Sequence, residues 1–381
     1  MTAETPISTR VPLPGREYDV IISRGSLHSL SSRLPSILPA ARRALLAFDP
    51  NLPASLIANA HNALLAAGLC VSTLPVHASE SNKQLPAAAD ILDALAAARL
   101  ERSDPLVALG GGIVGDIAGF AAAIHRRGIP FIQCPTTLLA MVDASVGGKT
   151  GVNLLIDGHL TKNMVGCFHQ PALVCIDLAA LDSLPDREFR AGLAECIKHA
   201  MIGGSLQDPS LWDYTLASLP AIIARDPLTL APFIARNVAL KARVVLADER
   251  ETAPDSAGGR ALLNLGHTFA HVIESLQLPS HPLHGEAVAL GLLAATTAAH
   301  ALNPGQLPAP ATIASALTTA GLPTTIAGLP APAELIALMR HDKKSRAGKL
   351  RCIFPGPGHT AAVIADPPDS CLRDGWCAVS C

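Results

Sequence analysis

The chain has 381 residues, enough for two domains at roughly 150 residues each. Lys+Arg number 29 against Asp+Glu 31, a net charge of -2. That balance lacks the clustered cationic excess that a nucleic-acid backbone or an anionic membrane surface demands. Charged residues make up 16% and hydrophobic residues 49%, with 3% aromatic, which excludes intrinsic disorder and implies a core of Ala- and Leu-rich helices and thin strands.

The first ten residues carry Glu4 and no apolar stretch, so no signal peptide is expected. No uninterrupted apolar run reaches the ~18 residues of a spanning helix, because Asp116 interrupts Ile113–Ile124. A soluble protein without a membrane partner is expected. The nine cysteines are scattered and form no CxxC pair. This argues against a zinc knuckle or a disulfide framework and for a reducing cytoplasm. Cys371, Cys377 and Cys381 are expected in a solvated tail.

In chain order, Tyr18–Ile22 and Arg43–Phe48 read as strands, Ala54–Ala67 as a helix ended by Gly68, Val71–Pro75 as a strand and Ala87–Ala98 as a helix. Leu106–Leu109, Phe131–Cys134 and Ala172–Asp177 complete a strand–helix alternation, which implies a mainly parallel sheet. After Leu181 the pattern becomes helical: Pro185–Gly203, Ala217–Ala224, Pro232–Glu249, Ala261–Leu276, Gly285–Leu302, Ala309–Gly321 and Ala333–His341. Thr252–Gly259 is loop-like. The expected organisation is an α/β Rossmann-like dinucleotide-binding domain over residues 1–180 and a mostly α-helical metal-binding domain over 181–381, with a ligand cleft between them.

Several clusters carry chemistry. Gly110, Gly112 and Gly115 satisfy a G-x-G-x-x-G spacing after a strand and before a helix, where backbone N–H groups can meet a phosphate. Its late position in the chain is not that of a first-turn dinucleotide fingerprint. Thr136 and Thr137 follow a strand, where their hydroxyls either hold a ribose or cap a helix. Asp49 and Asn51 end another, suited to a ribose diol or simply to a turn. Glu195 lies in a helix, His267 and His271 share one helix face, and His284 opens another helix. Imidazoles with one carboxylate suit an open zinc site. There is no H-E-x-x-H, which disfavours a zinc peptidase. Lys149, Lys162, Lys198, Lys241, Arg260, Lys343 and Lys344 suggest a phosphorylated or carboxylated substrate. Asp143 stands where a P-loop before Gly148-Lys149-Thr150 needs glycine, so an ATPase is disfavoured.

Leu109–Phe120, Pro135–Thr150, Lys162–Gly166, Glu195–Lys198, Arg260–Glu274, His284–Glu286 and Asp342–Lys344 together resemble the ordered motifs of the 3-dehydroquinate synthase family, over roughly residues 10–360. The resemblance implies a two-domain sugar-phosphate cyclase that converts 3-deoxy-D-arabino-heptulosonate 7-phosphate to 3-dehydroquinate and phosphate, the second step of the shikimate pathway. It implies catalytic NAD and zinc, with cobalt as an alternative metal. Glu195, His267 and His284 match the metal ligands. Asp49, Asn51, Glu80, Lys83, Gly111, Gly112, Gly115, Asp116, Thr136, Thr137, Lys149 and Lys162 match the cofactor-binding region. Asp143, Lys149, Asn163, Lys198, Lys241, Arg260, Asn264, His271 and the Lys343-Lys344 pair match substrate-contacting positions. Arg127 matches a residue that reaches the substrate phosphate of a neighbouring subunit, which implies a homodimer.

This chain departs from the family pattern at three places. Leu154–Thr161 makes the segment before Lys162 about four residues longer, and Thr252–Gly259 adds about five before Arg260; both are expected to be surface bulges, which loops tolerate. Ser79 replaces a usual glycine beside Glu80. Other readings are a cyclase acting on a different sugar phosphate, a metal-dependent polyol dehydrogenase of the same architecture, and a catalytically dead binding module. Arg260, Asn264, Lys241 and Asn163 favour a carboxylated heptulosonate over these.

Overall fold

Short runs of aliphatic residues with no polar alternation, such as Leu106–Gly110 and Leu173–Asp177, are strands buried on both faces, the pattern of a parallel sheet covered by helices. The computed structural model describes residues 5–156, 158–254, 259–304, 308–341 and 349–381. It divides into one unit of residues 1–185 with 230–242 and a second of 186–229 with 243–381. Lys343 and Lys344 lie outside the described residues.

The first unit holds a seven-stranded sheet. Its strands are β1 (Ile7–Val11), β2 (Tyr18–Ser23), β3 (Arg43–Phe48), β4 (Cys70–Pro75), β5 (Leu106–Gly110), β6 (Phe131–Pro135) and a last strand, Leu173–Asp177. β1 runs antiparallel to β2 and the other pairings are parallel. Helices α1 (Leu30–Ile37), α2 (Ala54–Ala66), α3 (Leu85–Ala97) and α4 (Gly112–Ile124) alternate with the strands. Ile91 and Leu95 of α3 join Val114, Ile117 and Ala121 of α4 and Leu106 and Phe131 in one buried cluster. The chain leaves β3 outward to β4, then returns to place β5 on the other side of β3. The carboxyl ends of β3 and β5 therefore flank a topological switch point, where open α/β sheets bind ligands. Asp49 N–H donates to the Leu109 carbonyl there at 3.0 Å.

At the opposite sheet end, buried Asp104 accepts the backbone N–H groups of Arg42 at 2.7 Å, Arg43 at 3.0 Å and Glu101 at 2.8 Å. Burial raises its pKa, but these donors outweigh it and hold the carboxyl below its usual value.

Between β6 and the last strand of the sheet the chain makes an antiparallel hairpin of β7 (Lys149–Ile156) and β8 (His159–Phe168), making Leu173–Asp177 β9. The added segment 154–161 forms the far part of this hairpin, pairing Leu154 with Thr161 and Leu155 with Leu160. It is thus a lengthened strand pair, with Leu155 62% exposed.

The second unit is mostly helical: α5 (Asp186–Met201), α6 (Leu211–Ile223), the ends of α7 (Pro227–Ala247), α8 (His267–Ser275), α9 (His284–Leu302), α10 (Pro310–Thr319), α11 (Pro332–His341) and α12 (Asp369–Val379). A hairpin of β10 (Arg351–Gly356) and β11 (Thr360–Ala365) was not apparent from the pattern. The expected continuous helix Ala261–Leu276 is instead a 3-10 segment, Gly259–Asn264, followed by α8. Gly266 separates them with φ 78, a left-handed conformation; a Cβ there would stand 2.8 Å from the Leu292 nitrogen. α9 is long and apolar enough to cross a membrane by length and composition, but 72% of its most apolar window is buried in the fold. The cysteine-containing tail is only partly solvated: Cys377 and Cys381 are exposed and Cys371 is buried. It forms α12 against α9, with Trp376 fully buried, its ring centroid 5.0 Å from that of Phe269 and its indole N–H directed at Met339 Sδ.

Candidate active site

In the first unit the glycine turn lies at the switch point. β5 ends in Gly110, Gly111 caps α4 with no side-chain hydrogen bond, and the first N–H groups of the helix lack a side-chain acceptor. Close packing explains the glycines: a Cβ on Gly111 would lie 3.2 Å from Thr137 Cγ2, one on Gly112 3.3 Å from Ala144 Cβ, and one on Gly115 2.9 Å from Gln133 Oε1. Thr136 N–H bonds the Gly110 carbonyl at 3.0 Å, tying β6 to this turn. Thr137 Oγ1 accepts the Ala140 N–H at 3.1 Å, so its hydroxyl serves as a helix cap. Asp49 Oδ1 accepts the backbone and side-chain N–H groups of Asn51, each at 3.0 Å, which makes a tight Asx turn at the end of β3.

Further candidates meet beside this turn. The buried Lys83 ammonium lies 2.5 Å from Asp116 Oδ2 and 2.7 Å from Asn163 Oδ1. Burial pushes the Asp116 carboxyl up from its usual pKa, and Lys83 opposes that shift. Asn163 has φ 54, in the left-handed region. Lys241, carried by α7, bonds Asp143 Oδ1 at 2.6 Å and also its backbone carbonyl. Lys149 and Lys162 lie on β7 and β8 with exposed side chains. Arg127 is exposed at the turn after α4, where Arg126, Arg127 and Gly128 all have positive φ.

The second unit assembles the expected metal ligands. Glu195 is 1% exposed in α5, and its carboxylate is ion-paired. Around it stand the buried Lys198 ammonium, one turn along the helix, His267 Nε2 at 3.5 Å and His284 Nε2 at 3.7 Å. Tetrahedral bonds of the usual zinc length put ligand atoms about 3.4 Å apart, so these donors already have the spacing of one coordination shell. Both rings are oriented by their other nitrogen: His267 Nδ1 lies 3.2 Å from the Leu265 carbonyl and His284 Nδ1 3.2 Å from Glu274 Oε1. Burial lowers the His284 pKa, but the Glu195 and Glu274 carboxylates outweigh it and carry the ring to about 10. Burial opposes ionisation of Glu195, yet Lys198 and the two imidazoles hold it well below the usual carboxylate range. Both shifts express the mutual stabilisation of carboxylate and imidazole charges at this point. His271, one turn after His267, sets its ring 5.7 Å from His267 and 82° to it, outside this ligand group.

Arg260 and Asn264 bound the last part of the 3-10 segment before α8. Asp248, at the end of α7, accepts N–H groups of Thr252 at 2.8 Å and Ala253 at 3.1 Å through Oδ1, and of Arg260 at 3.1 Å through Oδ2. One carboxylate thus closes the base of the added 252–259 loop and holds Arg260 in place; residues 255–258 lie outside the described residues. The sequence reading missed Asp248, Glu274 and Asn153. Only Glu274 had a visible signal: His267, His271 and Glu274 fall on one face of α8 at i, i+4 and i+7.

The model of the 3-dehydroquinate synthase N-terminal domain matches residues 73–191, and that of the C-terminal domain matches residues 192–345. The chain belongs to the 3-dehydroquinate synthase family. It is 43% identical over 370 residues to a 3-dehydroquinate synthase of Caulobacter vibrioides, covering 95% of this chain and 96% of that protein. It is 40% identical over 385 residues to one of Rhodopseudomonas palustris, covering 98% and 97%. Among solved structures, a 2-epi-5-epi-valiolone synthase from Streptomyces hygroscopicus with NAD+ and Zn2+ bound superposes with TM-score 0.80 at 26% identity, covering 94% of this chain and 96% of that one. A 2-deoxy-scyllo-inosose synthase complexed with carbaglucose-6-phosphate, NAD+ and Co2+ gives 0.82 at 24%, covering 97% and 100%, a likeness of fold. The α/β and helical units of this chain are thus those of the family, and the protein is an enzyme, a lyase.

Proposed function

We propose that this enzyme converts 3-deoxy-D-arabino-heptulosonate 7-phosphate to 3-dehydroquinate and phosphate, as a homodimer that uses NAD and zinc. The observation that carries the reading is the Glu195–His267–His284 cluster in the second unit of a chain of this family; the first unit separately presents an uncapped helix N-terminus at its sheet switch point. The donor set fits a divalent ion, because its buried carboxylate faces two imidazoles oriented by their own acceptors. The glycine turn, Asp49 and Asp116 fit a dinucleotide.

When bound, zinc supplies Lewis acidity at a ring hydroxyl and NAD supplies reversible hydride transfer, so net NADH does not accumulate. The chain's own residues then account for the rest. Glu195, His267 and His284 hold the metal, and Lys198 stands beside them to receive a substrate oxygen. Lys149, Lys241, Arg260 and the Lys343-Lys344 pair place cationic charge around the phosphate and carboxylate, which stabilises the leaving phosphate. His271 holds a hydrogen bond or a proton on an imidazole nitrogen beside it. Asn163 and Asn264 orient hydroxyls, and Asp143 keeps Lys241 in position. Arg127, carried outward on a left-handed turn, serves the site of a neighbouring subunit. A reducing cytoplasm is part of the same proposal, in keeping with nine scattered cysteines that form no CxxC pair.

The test is phosphate release from the heptulosonate phosphate with zinc and catalytic NAD, with absorbance followed at the NADH band. Phosphate and dehydroquinate formed together, without net NADH, are expected. A folded, metal-loaded enzyme that is silent with this substrate would overturn the proposal.

A further inference from the structure

The loop carrying Glu80 and Lys83 and the strand carrying Asn163 are distant in sequence, with 80 positions between Lys83 and Asn163, yet one side chain holds both. Asn153 is 0% exposed, and both ends of its amide are used. Nδ2 donates to Glu80 Oε2 at 2.9 Å and to the Glu80 carbonyl at 3.2 Å, while Oδ1 accepts the Asn163 N–H at 2.8 Å. Its own N–H donates to the Lys83 carbonyl at 2.7 Å.

Asn153 also sits where the hairpin loses its register. Val152 pairs with Val165, but Leu154 pairs with Thr161, so β8 carries the extra residues and bulges opposite Asn153. Asn163 takes up that bulge in a left-handed conformation. The bond from its N–H to Asn153 offsets the cost of holding a non-glycine residue there. The side chain of Asn163 then meets the Lys83 ammonium, which in turn meets Asp116.

We infer that Asn153 is a positioning residue of the cofactor pocket: it aims Glu80 directly, and holds the Lys83–Asp116 pair through the Asn163 bulge and the Lys83 backbone. The inference rests on the proposed NAD-facing role of Glu80, Lys83 and Asp116. Only an amide fits the position. A buried hydrogen bond to a charged group is worth more than a neutral one, and an orphaned partner is costly. Aspartate would keep the acceptor for Asn163 but set a carboxylate against that of Glu80.

The test compares the full-length parent, N153D, E80Q and N153D/E80Q, each with zinc loaded, by NAD titration and by the dependence of phosphate release on NAD. N153D is expected to raise the Kd and KM for NAD about tenfold, with kcat changed less than twofold. E80Q alone lowers NAD affinity by removing a cofactor-facing carboxylate, but in N153D/E80Q the glutamine amide can donate to the new aspartate, so adding N153D to E80Q should cost little further NAD affinity. A purely structural role would lower thermal stability and leave the NAD affinity of the folded protein unchanged. That result, or a loss from E80Q to N153D/E80Q as large as that from the parent to N153D, overturns the inference while the activity of the parent stands. A parent that binds NAD without forming dehydroquinate overturns the proposed reaction instead, and the four NAD affinities still decide the role of Asn153. A parent that binds no NAD overturns both.

Discussion

Glu274 Oε1 lies 3.2 Å from His284 Nδ1, so the carboxylate that closes α8 orients the imidazole that opens α9. Acceptors of this kind fix the tautomer and raise ligand basicity, and their loss typically weakens metal binding 10–100-fold. Glu274→Ala should therefore weaken zinc affinity by about that factor, measured by competition with a chromophoric chelator. Affinity unchanged within twofold would show that His284 needs no such support.

His267→Ala should lose stoichiometric zinc and activity together, because it removes one of two imidazoles facing Glu195 Oε1. Elemental analysis beside a turnover assay checks this. Zinc retained with full turnover would remove His267 from the ligand set.

Removal of the metal should also lower thermal stability. Glu195 and Lys198 are buried together as an ion pair beside two imidazoles, and a ligand that binds only the folded state stabilises it by mass action. Chelated protein should melt several degrees lower and recover on zinc addition, with a shift that grows with zinc concentration. A melting point indifferent to zinc would contradict the cluster as a metal site.

Asp104→Asn should cost about 2 kcal/mol of stability, because the amide nitrogen meets backbone donors that need an acceptor. The folded-state pKa of Asp104 is lowered. Its contribution is therefore complete above the unfolded value near 3.8 and is lost as pH falls through the lower folded value. Urea titrations should show a constant gap between parent and variant at neutral pH and a narrowing gap below about pH 4. A gap that widened on acidification would reverse this assignment.

The parts of the fold legible in the sequence were those in which one segment declares its own environment. β5 and β9 read correctly because strands buried on both faces are simply apolar runs. The proposed metal ligands were recognisable as residue types on helices, although their meeting at Glu195 is a tertiary fact. The hairpin β7–β8 was not legible, because Lys149–Asn153 contains a Thr-Gly pair and no alternation. Gly266 was visible as a residue but not as a break, since its left-handed φ follows from close packing against Leu292.

Polar supports were the least legible part of the site. Asp248 and Asn153 act by accepting or donating backbone hydrogen bonds to segments distant in sequence or just beyond a loop. Nothing in their neighbours distinguishes them from solvated turn residues. The Cys371–Cys381 segment misled in the opposite direction: its polar residues suggested a tail, whereas Leu372 and Trp376 line one buried face of α12.

The bulge has a further consequence for how this hairpin tolerates change. Because Asn153 and Asn163 meet where the register shifts, the chain between them leaves the pocket and comes back to the same point. Its contour length is then decoupled from the coordinates of the chemistry: residues can be added or trimmed at the tip in matched pairs while Lys83 keeps its two partners. The exposed Leu155 marks this as a natural port, a place to splice a spectroscopic label or an affinity handle and report on the proposed cofactor pocket from outside it.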